Sequence, residues 1–137
     1  MLRETRLFPG IEAVVRRLAE GGAALSVLTN KPRRFTLAIL DGLGVAGLFG
    51  AIVCGDDDMP PKPAPDGVLA LVRASGIPPS RSLLVGDSVE DVETARAAGI
   101  ASCAVAWGFR PLAELAAAGP DHVALAPEDL LAVVAGG

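Results

Sequence analysis

The run Leu83-Leu84-Val85-Gly86-Asp87-Ser88-Val89-Glu90-Asp91 decides how this chain is read. It opens on apolar residues suited to a buried strand and passes through a glycine into an acid. Ser88 is a residue type that caps helices, and Asp91 follows it by three positions, as in a capping box. Behind them Val89, Val92 and Ala95 recur at helical spacing. A strand that ends in Gly86-Asp87 and turns at once into a helix is part of a strand–helix–strand unit.

The same alternation extends in both directions. Short apolar runs stand at Ala24–Leu28, Ala51–Cys54, Ala101–Ala106 and His122–Leu125, beside Ser82–Val85. Between them lie apolar stripes at spacings of three and four: Ile11, Val14, Val15 and Leu18; Leu37, Leu40 and Leu43; Val68, Leu69, Leu71 and Val72; Leu130, Leu131 and Val134. Uninterrupted apolar strands predict burial on both faces, and alternation with helices predicts a parallel sheet with right-handed crossovers. Gly21-Gly22, Gly42, Gly76 and Gly99 fall where helices should stop, and Pro127 where the last should start. The expected fold is a doubly wound parallel α/β sheet of about five strands, one domain over residues 1–137.

The bulk numbers narrow the function. Of 137 residues, 51% are hydrophobic and 20% charged, which suits one globular domain with its own core. A net charge of −4, without a Lys/Arg run, argues against nucleic acid or an anionic membrane as partner. Cys54 and Cys103 lie in apolar runs and read as reduced, buried residues. The polar start Met1-Leu2-Arg3-Glu4-Thr5-Arg6 does not read as a signal peptide, so a cytoplasmic setting is expected.

In open parallel sheets ligands bind where strands end at the carboxyl edge. After the first strand stands Thr29-Asn30-Lys31-Pro32, offering a hydroxyl, an amide and a helix N-terminus to an anion; an ordinary N-cap accounts for the same residues. After the second comes Met59-Pro60-Pro61-Lys62-Pro63-Ala64-Pro65, a proline-stiffened loop whose Lys62 can face an anion or stand in solvent. The acids Asp56, Asp57 and Asp58 read as a solvated loop, one of which could orient Lys62. After the third, Asp87 and Asp91 can converge on one mouth. Two carboxylates so placed suit Mg²⁺, though capping alone explains both. Gly86 lets the backbone approach a ligand closely, and Ser88 supports the turn. Arg33 and Arg34 could touch anions or lie on a solvated helix face. Trp107-Gly108-Phe109 reads as core packing, and His122 as structural.

Hydroxyl donor, cation and metal-binding acids on successive strand ends are what phosphoryl transfer requires. Thr29, Lys62-Pro63-x-Pro and Gly86-Asp87-Ser88-x-x-Asp91 resemble the second, third and fourth motifs of the haloacid dehalogenase superfamily. Leu7-Phe8-Pro9-Gly10, Leu28-Thr29-Asn30-Lys31-Pro32 and Val85-Gly86-Asp87-Ser88 are most similar to its phosphoglycolate phosphatase branch. The resemblance implies that Thr29 and Asn30 hold phosphoryl oxygens, and that Lys62 is catalytic, offsetting charge on nucleophile and phosphate. It further implies that Asp87 ligates Mg²⁺ with Asp91 in support, and that the substrate is a small phosphorylated metabolite.

In that family the nucleophile sits in an Asp-x-Asp motif after an N-terminal strand, followed by a cap domain. These residues carry neither, so the chain is expected to be inactive or weakly active and to bind Mg²⁺ weakly. A non-catalytic phosphate- or partner-binding module is the alternative. The strand absent by this comparison would lie between those ending in Thr29 and Asp87. Those two are therefore expected to pair directly or to be bridged by another chain, through strand exchange or a homo-oligomer.

Overall fold

Each apolar stripe becomes one helix in the computed structural model, which describes residues 10–107 and 111–136. In chain order the elements are α1 (Ile11–Glu20), β1 (Leu25–Leu28), α2 (Arg33–Leu43), β2 (Phe49–Val53), α3 (Asp66–Ser75), β3 (Leu83–Gly86), α4 (Val89–Ala98), β4 (Ala101–Val105), α5 (Leu112–Ala117), β5 (His122–Ala124) and α6 (Asp129–Gly136). Short 3₁₀ turns at Ala46–Leu48 and Pro79–Arg81 lead into β2 and β3. The α/β class with parallel strands is as expected. The sequence did not announce α5, whose six residues are mostly alanine and anchor through one buried leucine, Leu115. Gly42 lies inside α2; the helix ends instead at Gly44, whose φ of 71° is the left-handed turn a C-cap requires.

The five strands form two sheets. β1 pairs with β2, and β3, β4 and β5 pair in that order, all parallel. β1 and β3 do not pair, which corrects the expectation of direct pairing. Helices set the spacing between them. α3 packs on α4, and Val68, Ala95 and Ile100 form a cluster that also receives Leu28 from β1 and Leu84 from β3. The two sheets thus share an apolar floor, while their strand edges flank a cleft of about 420 Å³ lined by residues of both. α1 packs on the second sheet, where its Val14 enters the cluster of Cys103, Val105, Ala124 and Leu130, and it also touches the 3₁₀ turn Ala46–Leu48 ahead of β2.

This split explains a second difference. Burial on both faces holds only for β4, where Ser102, Cys103, Ala104 and Val105 are all buried. Ser26 in β1 and Val85 in β3 are exposed, because neither strand has a neighbour on its inner side. Both cysteines are free and buried, Cys54 just beyond β2 and Cys103 within β4. Burial pushes the Cys103 thiol up, which keeps it protonated and unreactive. Trp107 packs against the α1–β4–α6 cluster, as expected of a core residue; Gly108 and Phe109 lie outside the described residues, as does Leu7-Phe8-Pro9. Among the described residues no helix is long and apolar enough to cross a membrane.

Candidate functional site

The loops after β1, β2 and β3 meet through a chain of hydrogen bonds. Its centre is Lys62, whose Nζ lies 2.6 Å from Asp91 Oδ1. Both side chains are largely buried, at 15% and 9% exposure, so the pair is desolvated and its partners are fixed. Lys62 therefore takes its orientation from Asp91 on α4, and none of Asp56 to Asp58 supplies it. The ion pair also links the two sheets at their carboxyl edge.

Asp91 is held from its other side by the capping box. Its Oδ2 accepts from the Ser88 backbone N–H at 3.2 Å and from Ser88 Oγ at 2.9 Å, while its own N–H donates to Ser88 Oγ at 3.2 Å. Gly86 makes this possible in a way the sequence did not suggest. A Cβ there would collide with the Asp91 carboxylate, so the space left by the missing side chain is filled by Asp91.

Asn30 ties the first loop to the second. Its Oδ1 accepts from the Lys62 backbone N–H at 3.0 Å, and its Nδ2 donates to the Lys62 carbonyl at 3.4 Å. This places Asn30 as the bridge that fixes the Lys62 loop, with its amide group already engaged. Thr29 Oγ1 accepts from the Lys31 N–H at 3.1 Å, which leaves its hydroxyl proton available to an incoming acceptor.

The α2 N-terminus is less open than expected. The Arg33 N–H donates to Asp56 Oδ1 at 2.8 Å, so a carboxylate already occupies the positive end of the helix. The Arg33 guanidinium grips Asp57 with two bonds, Nε to Oδ1 at 3.3 Å and Nη2 to Oδ2 at 2.6 Å, and donates to the Ile52 carbonyl at 2.9 Å. Asp56 and Asp57 are therefore structural acids. Arg34 lies over the Phe35 ring, 4.8 Å from its centroid. His122 opens β5 at the amino edge of its sheet, away from the site.

Hydrogen bonding to Arg33, with help from the Cys54 N–H, holds the Asp57 carboxyl below its ordinary range. A lowered folded-state pKa gives stability that is present above the unfolded value and lost as pH falls through the folded one. Asp57→Asn should therefore lose stability at neutral pH, and the gap to the parent should close only in strong acid. Urea titrations between neutral pH and pH about 3 check this; a gap that is absent at neutral pH contradicts it.

The carboxylates fit a hard cation in part. Both Asp91 oxygens are already engaged, by Lys62 and by Ser88. That leaves Asp87, directly after β3, as the carboxylate open to a metal. Among the described residues no group of three His, Cys, Asp or Glu side chains forms a cage. Mg²⁺ commonly binds through one or two carboxylates, a phosphate oxygen and water, so Asp87 with Asp91 beside it suits a weak, phosphate-assisted site.

Residues 1–105 match the family model described as haloacid dehalogenase-like hydrolase. The chain is 34% identical over 135 residues to a phosphoglycolate phosphatase of Pseudomonas syringae pv. tomato, covering 96% of this chain and 47% of that protein. It is 35% identical over 127 residues to the phosphoglycolate phosphatase of Escherichia coli K12, covering 93% and 50%. It thus spans about half the length of the curated relatives it matches. Among solved structures it superposes on a predicted phosphoglycolate phosphatase from Haemophilus somnus with a TM-score of 0.86 at 29% identity, covering 92% of this chain and 56% of that one. A haloacid dehalogenase-like family hydrolase from Streptococcus pneumoniae gives 0.82 at 25% identity, covering 92% and 59%. With the motif residues joined across the carboxyl edges of the two sheets and the family model matched over residues 1–105 of the 137, this chain belongs to the haloacid dehalogenase-like hydrolases.

Proposed function

We propose that this chain carries the phosphate-handling residues of a phosphoglycolate phosphatase-like, Mg²⁺-dependent phosphomonoester hydrolase acting on a small phosphorylated metabolite in the cytoplasm. The observation that carries the reading is the continuous link Asn30–Lys62–Asp91–Ser88, which brings three strand-end motifs to one place. In this reading Thr29 and the Asn30 segment hold phosphoryl oxygens, and Lys62 offsets their charge. Asp87 holds Mg²⁺ with Asp91 in support, and the ion when bound would neutralise the phosphate. The relatives named as phosphoglycolate phosphatases support the branch.

These 137 residues by themselves are proposed to turn over little or nothing. A covalent mechanism needs a carboxylate nucleophile beside the phosphate. Of the second-loop acids, Asp56 and Asp57 are committed to Arg33, and Asp91 is committed to Lys62. Hydrolysis of an aryl phosphate with and without Mg²⁺, set against Asp87→Asn, tests this. The expected result is no rate above the variant. A Mg²⁺-dependent rate that disappears in Asp87→Asn would overturn the reading of this chain as inactive.

A second reading, a non-catalytic phosphate- or partner-binding module, is favoured by the cleft between β1 and β3. Unpaired strand edges beside apolar walls are a template for another strand. Strand exchange or a homo-oligomer through these edges is part of that reading, and light scattering across a concentration series tests it. A strictly monomeric protein at all concentrations would count against it.

A further inference from the structure

We infer that Arg33 is a positioning residue for the anion site, acting through Asp57 and Asp56 rather than by touching the ligand. The inference rests on the phosphate-handling reading above and adds a residue to it.

The loops after β1 and β2 lie side by side, and Arg33 is where they are laced together. Its backbone N–H is taken by Asp56, its guanidinium by Asp57 and by the Ile52 carbonyl. Asp57 also accepts the Cys54 N–H at 2.8 Å, which fixes the carboxylate to the end of β2. Next to this clamp the Gly55 N–H donates to the Lys31 carbonyl at 2.8 Å. The segment Thr29 to Lys31 is therefore held at both ends: the Thr29 N–H on the Val53 carbonyl, and the Lys31 carbonyl on Gly55. Asn30 sits between these anchors and holds Lys62. Any displacement of the clamp is passed to Asn30 and from there to the Lys62 loop.

The geometry assigns Arg33 this role and not direct contact. A bidentate guanidinium–carboxylate pair is a strong, directional interaction. With Nε and Nη2 committed to Asp57 and Nη2 also on Ile52, the fork faces the second loop. Lysine cannot reproduce that fork. Hydrogen bonding to Asp57 also raises the Arg33 pKa, in keeping with a tight pair.

The test uses the full chain and inorganic phosphate as probe, measured by calorimetry at a temperature where each variant is folded. Variants are Arg33→Ala, Arg33→Lys and Asp57→Asn, with Arg16→Ala as a control, since Arg16 on α1 bonds Glu12 and the carbonyl of Gly44, at the opposite end of α2 from Arg33. Arg33→Ala and Asp57→Asn should each weaken phosphate about tenfold, equivalent to losing one charge-assisted hydrogen bond, with partial recovery in Arg33→Lys. Asp57→Asn keeps the Arg33 charge, so weakening in Arg33→Ala with none in Asp57→Asn would overturn positioning in favour of direct contact.

A second readout does not depend on phosphate. Amide exchange at Lys62, whose N–H rests on Asn30, should quicken in Arg33→Ala and in Asp57→Asn but not in Arg16→Ala. Unchanged Lys62 exchange in both variants overturns the inference. If the parent fails to bind phosphate while Lys62 exchange responds as expected, the phosphate reading fails and the positioning link stands.

Discussion

Replacing Asp91 with alanine should destabilise the protein by about 3 kcal/mol, the low end of the range for breaking a buried ion pair by removing one partner. Three losses coincide. Lys62 keeps its charge in a largely buried place without its counter-ion. Ser88 loses the acceptor for its N–H and its hydroxyl, which undoes the capping box. The space beside Gly86 is emptied. The low end applies because Lys62 retains 15% exposure and its long stem lets the ammonium turn toward water. Asp91→Asn should cost less, since one amide oxygen can still serve Ser88. Lys62→Met should also destabilise, because it strands the Asp91 carboxylate, 9% exposed, on the Ser88 hydrogen bonds alone. Urea unfolding of these variants and of the Lys62→Met/Asp91→Asn pair forms a double-mutant cycle whose coupling reports the bridge itself. A loss below about 1 kcal/mol in Asp91→Ala would show that the ion pair is absent in solution. Because typical domains are stable by about 5–15 kcal/mol, the expected loss is large enough to lower the folded yield visibly.

The second large effect is expected from Gly55→Ala, at about 2–3 kcal/mol, in the range for overpacking a well-filled site. Gly55 does not have a positive φ among the described glycines, so the cost is one of space and not of backbone conformation. A Cβ there would overlap the backbone carbonyl of Asn30. Backbone cannot rotate away as a side-chain tip would. The two loops must therefore part, breaking the Gly55 N–H bond to the Lys31 carbonyl and shifting Asn30. Gly67→Ala provides the contrast. Its nearest neighbour is a methyl of Leu28, which can change rotamer, so its loss should be smaller. Thermal unfolding of both variants checks the order. A Gly55→Ala midpoint within about 2 °C of the parent would mean that the loops are not in contact as described.

Much of the fold was legible because the relevant physics is local. The stripes from Ile11 to Leu18 and from Val68 to Val72 became α1 and α3, since a helical period of apolar residues has one way to bury its face. The capping box at Ser88 and Asp91 was legible for the same reason: both partners lie within one turn. Less local features were not. Strands reading as wholly apolar predicted burial on both faces. That held for β4, which has neighbours on both edges, but not for β1 and β3, which have one each.

By itself, then, the sequence determined the order and kind of the elements other than α5, the residues placed at the strand ends, and the family to which their spacing belongs. It could not say which acid faces which base. Asp91 lies 29 positions from Lys62, and Asp57 lies 24 from Arg33, with three neighbouring aspartates competing in the same loop. Only the packing of α4 beside the second loop decides that Lys62 meets Asp91. Only the alignment of β1 with β2 brings Arg33 to Asp57. The division into two sheets is likewise tertiary. It follows from how far the packing of α3 on α4 holds the inner strand edges apart, a distance that no periodicity in the chain encodes.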